Sequence, residues 1–349
     1  MADSAPPAGP PANPHLWSRG GFAGDMCVTV RPHSIVGYSS VAGPHAPRIL
    51  DLHDLEVPDR ADPNALPVVF AASRDEVSLL VSAREAPTPF AWRNVEYDEL
   101  HFVQDGVLDY VTDFGTLRAE PGDIVFFPRS VTYRVEPVTS PTLRLIVETP
   151  QQLLFQPPAP FGMVNAARDV RRADPSLPST RAGETRLLLR AHDGITEYHL
   201  AHDPMAMVAV VSGQVPVWKL NLAVIQPSTY HPHGGPPESF ARTAGDEVMV
   251  FTLSARPGGR PPMHHNADYD EVILYHRGPG AYGALNVPGT LTWTPKGVSH
   301  RGPVEDVPEG YLALLIETTA TFRLTDIGQR ASHPMETDLF GRHESAETT

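Results

Sequence analysis

Short apolar runs, bounded by proline, glycine and polar turn residues, recur along the whole chain. Residues 68–71, 77–81, 123–127 and 143–147 form such runs in the first half. Residues 186–189, 207–211, 217–222, 248–251 and 272–275 form them in the second. They are too short for core helices, and many are rich in β-branched and aromatic side chains, so they read as strands. The 38 prolines and 27 glycines supply the turns between them. No long amphipathic helical period is present, and a single short helix is expected within 320–345. Many short strands at this spacing predict an all-β chain with minor α, built as a sandwich or barrel.

The pattern occurs twice. Asn94-Val-Glu-Tyr97-Asp98-Glu99-Leu100 matches Asn266-Ala-Asp-Tyr269-Asp270-Glu271-Val272, an offset of 172 residues. Gly115-Thr-Leu matches Gly289-Thr-Leu. Pro128-Arg-Ser-Val-Thr-Tyr133 matches Pro295-Lys-Gly-Val-Ser-His300, and the run ending in Glu148-Thr149 matches the one ending in Glu317-Thr318. Four matches in one order indicate a duplication of one β domain. At 349 residues the chain exceeds the usual size of a single core. The expected division is a mobile segment 1–15, a first domain 16–155, a second domain 156–340 and a disordered tail 341–349.

The copies differ where chemistry would sit. The second carries His264-His265 ahead of Glu271, and His300 at the end of its Pro-x-Gly-x-x-His segment. The first carries Arg93 opposite His265 and Tyr133 opposite His300, and keeps only Glu99. Two imidazoles and a carboxylate on one face, with the opposite positions open, are the ligand set of non-haem Fe(II) oxygenases. Successive strand residues point to opposite faces, so only one of His264 and His265 can be a ligand. His265, Glu271 and His300 are taken as the metal triad, and the first copy as scaffold. Both histidines must be deprotonated to bind, so occupancy is expected to fall below about pH 6.5.

The net charge of −14 argues against nucleic acid or an anionic membrane as partner. The lone cysteine, Cys27, rules out a disulfide within the chain. No apolar stretch approaches the length of a membrane span, and the first residues show no basic region followed by an apolar run. A cytoplasmic protein is expected.

The paired Pro-x-Gly-x-x-His and His…Glu segments resemble the cupin superfamily. More narrowly, Arg260-Pro-Pro-Met-His-His-Asn266 through Glu271 resembles the R-P-P-Y-Y-H-R-N-x-x-S-E segment of the homogentisate 1,2-dioxygenase family, with the step of six from His265 to Glu271 kept. Gly213-Gln-Val-Pro-Val-Trp-Lys-Leu-Asn-Leu222 and His300-Arg-Gly-Pro303 resemble two further segments of that family, and the likeness spans roughly 160–332. The resemblance implies a bicupin of two jelly-roll barrels, the second holding Fe(II). It implies dioxygenase cleavage of a hydroquinone-type ring with O2, a small aromatic substrate, and a trimer-based homo-oligomer. It also implies an acid–base histidine at His231 or His233. His264, Tyr269, Arg277, Tyr282 and Lys296 lie near the ligands in sequence and are the candidate substrate-binding residues. Gly280 and Thr294 stand where the family has a tyrosine and a histidine, which points to a relative of homogentisate as substrate. The rival readings are another metal-dependent cupin enzyme, such as an isomerase or a different oxygenase, and a non-catalytic binding bicupin.

Overall fold

In the computed structural model the described residues are 13–74, 77–155, 164–177, 179, 181–225, 239–255, 260–278, 283–304 and 310–340. Among them the regular structure is mostly strand, with short 3-10 turns and two short α-helices, Ala166–Asp169 and Asp326–Ala331, the latter within the stretch expected to be helical. The strands form two eight-stranded sheets, one of six and one of three, giving a jelly-roll-like double barrel.

Two-residue periodicity builds the layers. Along Leu143–Thr149, Leu143, Leu145 and Val147 enter a large apolar core, while Arg144, Ile146 and Glu148 face the interior of the first barrel. Along Leu312–Thr318, Leu312, Leu314 and Ile316 enter that same core, and Ala313 and Leu315 enter a separate cluster in the second barrel. The large core therefore lies between the two eight-stranded sheets and joins the halves back to back. Both faces of these strands are buried, which is why they read as continuous apolar runs with isolated polar residues instead of as alternation.

The sheets do not follow the expected boundaries at 15 and 155. Asn13–Gly20 and Ala23–Arg31 form a hairpin that pairs, in parallel, with Met263–Asn266 of the second half. Thr185–Ala191 and Gly194–Leu200 form a matching hairpin that pairs, in parallel, with Ala91–Asn94 of the first half. Arg48–Asp51 joins the second barrel's sheet, and Phe322–Leu324 joins the first's. Each barrel is thus closed by a hairpin that lies in sequence on the far side of an expected boundary. Sequence proximity misplaced these segments because the edges they cover are distant in the chain. One expected strand is absent. Residues 207–211 pair with nothing in the sheets, and Val208 and Val211 are 101% and 93% exposed. An apolar run becomes a strand only where an edge is available to it.

His53 ties the halves together at the surface. Its Nδ1 lies 2.6 Å from Asp51 Oδ1 and its Nε2 2.7 Å from Asp105 Oδ2. The hydrogen bonds to Asp105 and then Asp51, opposed by partial burial, push its pKa up to about 10. A raised folded-state pKa stabilises the fold below the unfolded value near 6.5, and the contribution is lost as pH rises through about 10. The ring is half exposed, so water screens the pair to about 1 kcal/mol. His53→Ala is expected to lower Tm by about 1–2 °C at pH 6, with the difference gone above about pH 11, by thermal melts across that range.

Candidate metal centre

His264, Glu271 and His300 each offer a ligand atom, and these atoms lie within 4.8 Å of one another. The backbone sets the arrangement. His264 and His300 face each other as an antiparallel bridge, with His264 N donating to His300 O at 3.0 Å and His300 N to His264 O at 2.9 Å. Their rings lie 4.2 Å apart between centroids, tilted by 56°. Glu271 enters from the eight-stranded sheet, 3.6 Å from His300 Nε2. Arg260 fastens the loops around the site through the carbonyls of Arg301, Gly302 and Asp338.

The donor set fits a divalent metal. His264 Nδ1 donates to Pro262 O at 2.9 Å and His300 Nδ1 to Val298 O at 3.0 Å. Each bond fixes the tautomer and leaves Nε2 as a lone-pair donor toward the cluster. His300 Nε2 is buried with no hydrogen-bond partner, a cost to folding that a metal would remove. Burial holds the His264 pKa down to about 3, the form a ligand requires. Burial also opposes the His300 cation, but the Glu271 carboxylate beside it outweighs burial and raises its pKa. For Glu271, burial works upward, yet His300 leaves the net shift downward.

The structure brings His264, and not the expected His265, to this cluster. His265 points away from the cluster. Its Nδ1 lies 3.3 Å from His15 Nε2, and the two rings pack at 4.9 Å. The sequence held the signal. Aligning the copies on Asn94 and Asn266 sets His264 opposite Trp92, not Arg93. The stretch from Asn266 to Glu271 is one residue longer than the N-x-x-S-E of the family, so the histidine-to-glutamate step is seven.

The other candidates scatter. Tyr269 packs its ring over the turn at Gly20. Arg277 is exposed at the end of its strand. Lys296 turns from the site and donates to the carbonyls of Thr319, at 2.5 Å, and Ala320, at 3.3 Å, so it fastens a loop and leaves no ammonium for substrate. His231, His233, Gly280 and Tyr282 lie outside the described residues. Thr294 is buried beside Glu271 in the sheet register.

Three groups went unread in the sequence. Phe22, from the N-terminal hairpin, lies 4.8 Å from the His264 ring. His15 stands behind His265. Glu317 pairs in register with Glu271, and its pKa is pushed up to about 8 by burial and then by Glu271. A Cβ at Gly21, where φ is +52°, would come within 2.9 Å of Glu317, so the hairpin turn seals that carboxyl and needs glycine to do so.

The first barrel shows what replaced the triad. Trp92, Glu99 and Tyr133 stand at the positions of His264, Glu271 and His300. Trp92 Nε1 and Asn94 Nδ2 donate to Glu99 Oε1 at 3.0 and 2.9 Å, and Tyr133 OH donates to Oε2 at 2.6 Å. Both oxygens are spent on neutral donors.

A duplicated jelly-roll with two histidines and one glutamate converging in a single barrel defines a cupin-type protein with, among the described residues, one candidate metal centre. Residues 87–221 match the family model of the homogentisate 1,2-dioxygenase N-terminal region. The match falls largely on the first barrel, earlier in the chain than the motifs around His265 suggested. The chain is 28% identical over 274 residues to homogentisate 1,2-dioxygenase of Bradyrhizobium diazoefficiens, covering 67% of this chain and 58% of that protein. It is 24% identical over 209 residues to a Saccharolobus solfataricus protein whose name assigns it provisionally as a dioxygenase, covering 56% and 53%. Among solved structures, Bacillus subtilis oxalate decarboxylase superposes at a TM-score of 0.41 and 11% identity, over 83% of this chain and 80% of that one. The family-model match and the homogentisate 1,2-dioxygenase relatives support assignment of the chain to the homogentisate dioxygenase family. The chain spans about half the length of the curated relatives it matches.

Proposed function

We propose that the chain is an Fe(II)-dependent dioxygenase that opens the ring of a hydroquinone-type aromatic with O2. The observation that carries this reading is the convergence of His264, Glu271 and His300 in one barrel, with both imidazoles held in the metal-binding tautomer. Iron bound there would supply a Lewis acid and a redox centre for O2, with coordination positions left for substrate. The chain's own residues do the rest. His264, His300 and Glu271 hold the ion. Phe22 packs an apolar ring against His264 and keeps water from that side. Either His231 or His233 is the proposed acid–base residue, since a neutral imidazole can accept a phenolic proton and return it. Arg277 and Tyr282 are proposed, from their place in the sequence, to select the substrate side chain.

The substrate is proposed to be a substituted relative of homogentisate. A buried threonine at position 294 offers a shorter polar reach than the histidine of the family, and an unpaired polar group costs about 1–3 kcal/mol. The test is oxygen uptake by the Fe(II)-loaded chain over a panel of hydroquinone carboxylates and phenols. Homogentisate is expected to turn over about 100-fold more slowly than the preferred substrate. A kcat/KM for homogentisate of about 10⁴–10⁸ M⁻¹s⁻¹ would show instead that the substrate is unchanged.

The protein is proposed to act as a trimer-based oligomer in the cytoplasm. In the three-stranded sheet, Ala23–Arg31 pairs on one side only, and Met26, Val28 and Val30 along it are 55–68% exposed. An apolar edge of this kind is normally covered. Light scattering at working concentration is expected to give a multiple of the chain mass, and a monomer would contradict the proposal. Among the described residues no helix is long and apolar enough to cross a membrane.

A further inference from the structure

The first barrel lost its ligand set but not its interior. It holds a partly open cavity of about 360 Å³, within the range that takes small organic molecules. Leu80, Phe90, Trp92, Ile146 and Ile195 make most of the wall apolar. Glu148 and Arg144 project into it from one strand, and Arg190 enters from the hairpin supplied across the chain.

Two polar atoms there are unspent. Glu148 is 1% exposed, and its Oε1 accepts from Arg190 at 2.5 Å and Asn94 at 3.2 Å, while its Oε2 is buried without a partner. Arg144, also 1% exposed, has its Nε buried without a partner. A scaffold that served only to pack would gain by pairing these atoms or replacing them with apolar groups. An acceptor left without a partner beside an apolar cavity suits a hydroxyl, which can donate to it.

Charge narrows the class. Arg84, Arg144 and Arg190 line the cavity with Glu99 and Glu148. Three guanidinium groups disfavour a cation, and each is already engaged, Arg84 by the carbonyls of Pro63 and Ala65, Arg144 by Ser82 and Tyr110, and Arg190 by Glu148, so none is offered to an anion. The aromatic wall favours a planar ring. We propose that the first barrel is a second, metal-free binding site for a neutral phenol, with its hydroxyl on Glu148 and its ring against Phe90 and Trp92. Burial, opposed by Arg190, pushes the Glu148 pKa up to about 8. The titration is therefore made at about pH 9, where Glu148 is ionised and accepts while a simple phenol keeps its proton. The site is separate from the metal centre and does not depend on the reaction proposed there.

The test is calorimetric titration of 4-ethylphenol into the full chain, freed of metal by chelator. Ile195 is 47% exposed at the cavity, so Ile195→Trp narrows it without disturbing the core. Glu148→Gln keeps the shape and replaces an acceptor with a donor. The expected result is one phenol bound per chain, weakened at least about tenfold by Ile195→Trp and by Glu148→Gln, and unchanged by His300→Ala. 4-Ethylbenzoate and 4-ethylbenzylamine are expected to bind at least about tenfold more weakly than the phenol. Melting curves establish that the variants are folded. Three outcomes would overturn the proposal: no binding of 4-ethylphenol, binding lost in His300→Ala but kept in folded Ile195→Trp, or tighter binding of the benzoate or the benzylamine.

Discussion

His264→Ala and His300→Ala are each expected to abolish metal retention, while His265→Ala leaves it intact. Loss of an outer partner alone typically costs a metal site 10- to 100-fold in affinity, so loss of one of three direct ligands is expected to cost more than about 100-fold. His265 turns its ring to His15 and away from the cluster, so its removal spares every proposed ligand. Anaerobic titration with Fe(II), followed by desalting and metal analysis, separates the three variants. One ion per chain is expected for the wild-type protein and for His265→Ala. Retention by His264→Ala together with loss by His265→Ala would return the ligand role to His265. Two ions per chain would mean that the first barrel also binds metal.

The second large effect falls on stability and on the other barrel. Glu99→Ala removes the acceptor for Trp92 and Tyr133, and one of the two for Asn94, in a site that is 3% exposed. Buried donors left unpaired cost about 1–3 kcal/mol each, and the groups share one pocket, so the total is expected near 3–5 kcal/mol. For a chain of this length that is a fall in Tm of roughly 4–7 °C. Glu271→Ala in the metal-free protein should cost far less, because the Glu271 carboxylate meets His300 only at 3.6 Å. Similar melting shifts for the two variants would contradict the view that Glu99 serves the fold and Glu271 serves the metal.

Much of this architecture was legible in the residues. The duplication, the strand runs and the single intact ligand set all follow from short apolar segments and a repeat with one substituted copy. The choice between His264 and His265 was also legible, through the asparagine that precedes each glutamate. It was lost by measuring from the glutamate of the family pattern across a one-residue insertion. The closing hairpins were not legible. Thr185–Ala191 pairs with Ala91–Asn94 across nearly a hundred residues, and no local pattern reports which distant edge a strand will cover. Glu317 and Glu148 read as the polar ends of apolar runs because both faces of their strands are buried, which hides the alternation that would have aimed them inward. Val208 and Val211 show the converse, an apolar run with no partner edge in the sheets.

The central claim is that the second barrel opens an aromatic ring with O2. Its most direct test is a turnover of the Fe(II)-loaded chain under ¹⁸O₂, with the product of the best substrate from the oxygen-uptake panel analysed by mass spectrometry. The account predicts a ring-opened product carrying both labelled oxygen atoms, formed by the wild-type chain and absent with His300→Ala. A product isomeric with its substrate and free of label, or binding without any consumption of O2, would contradict it.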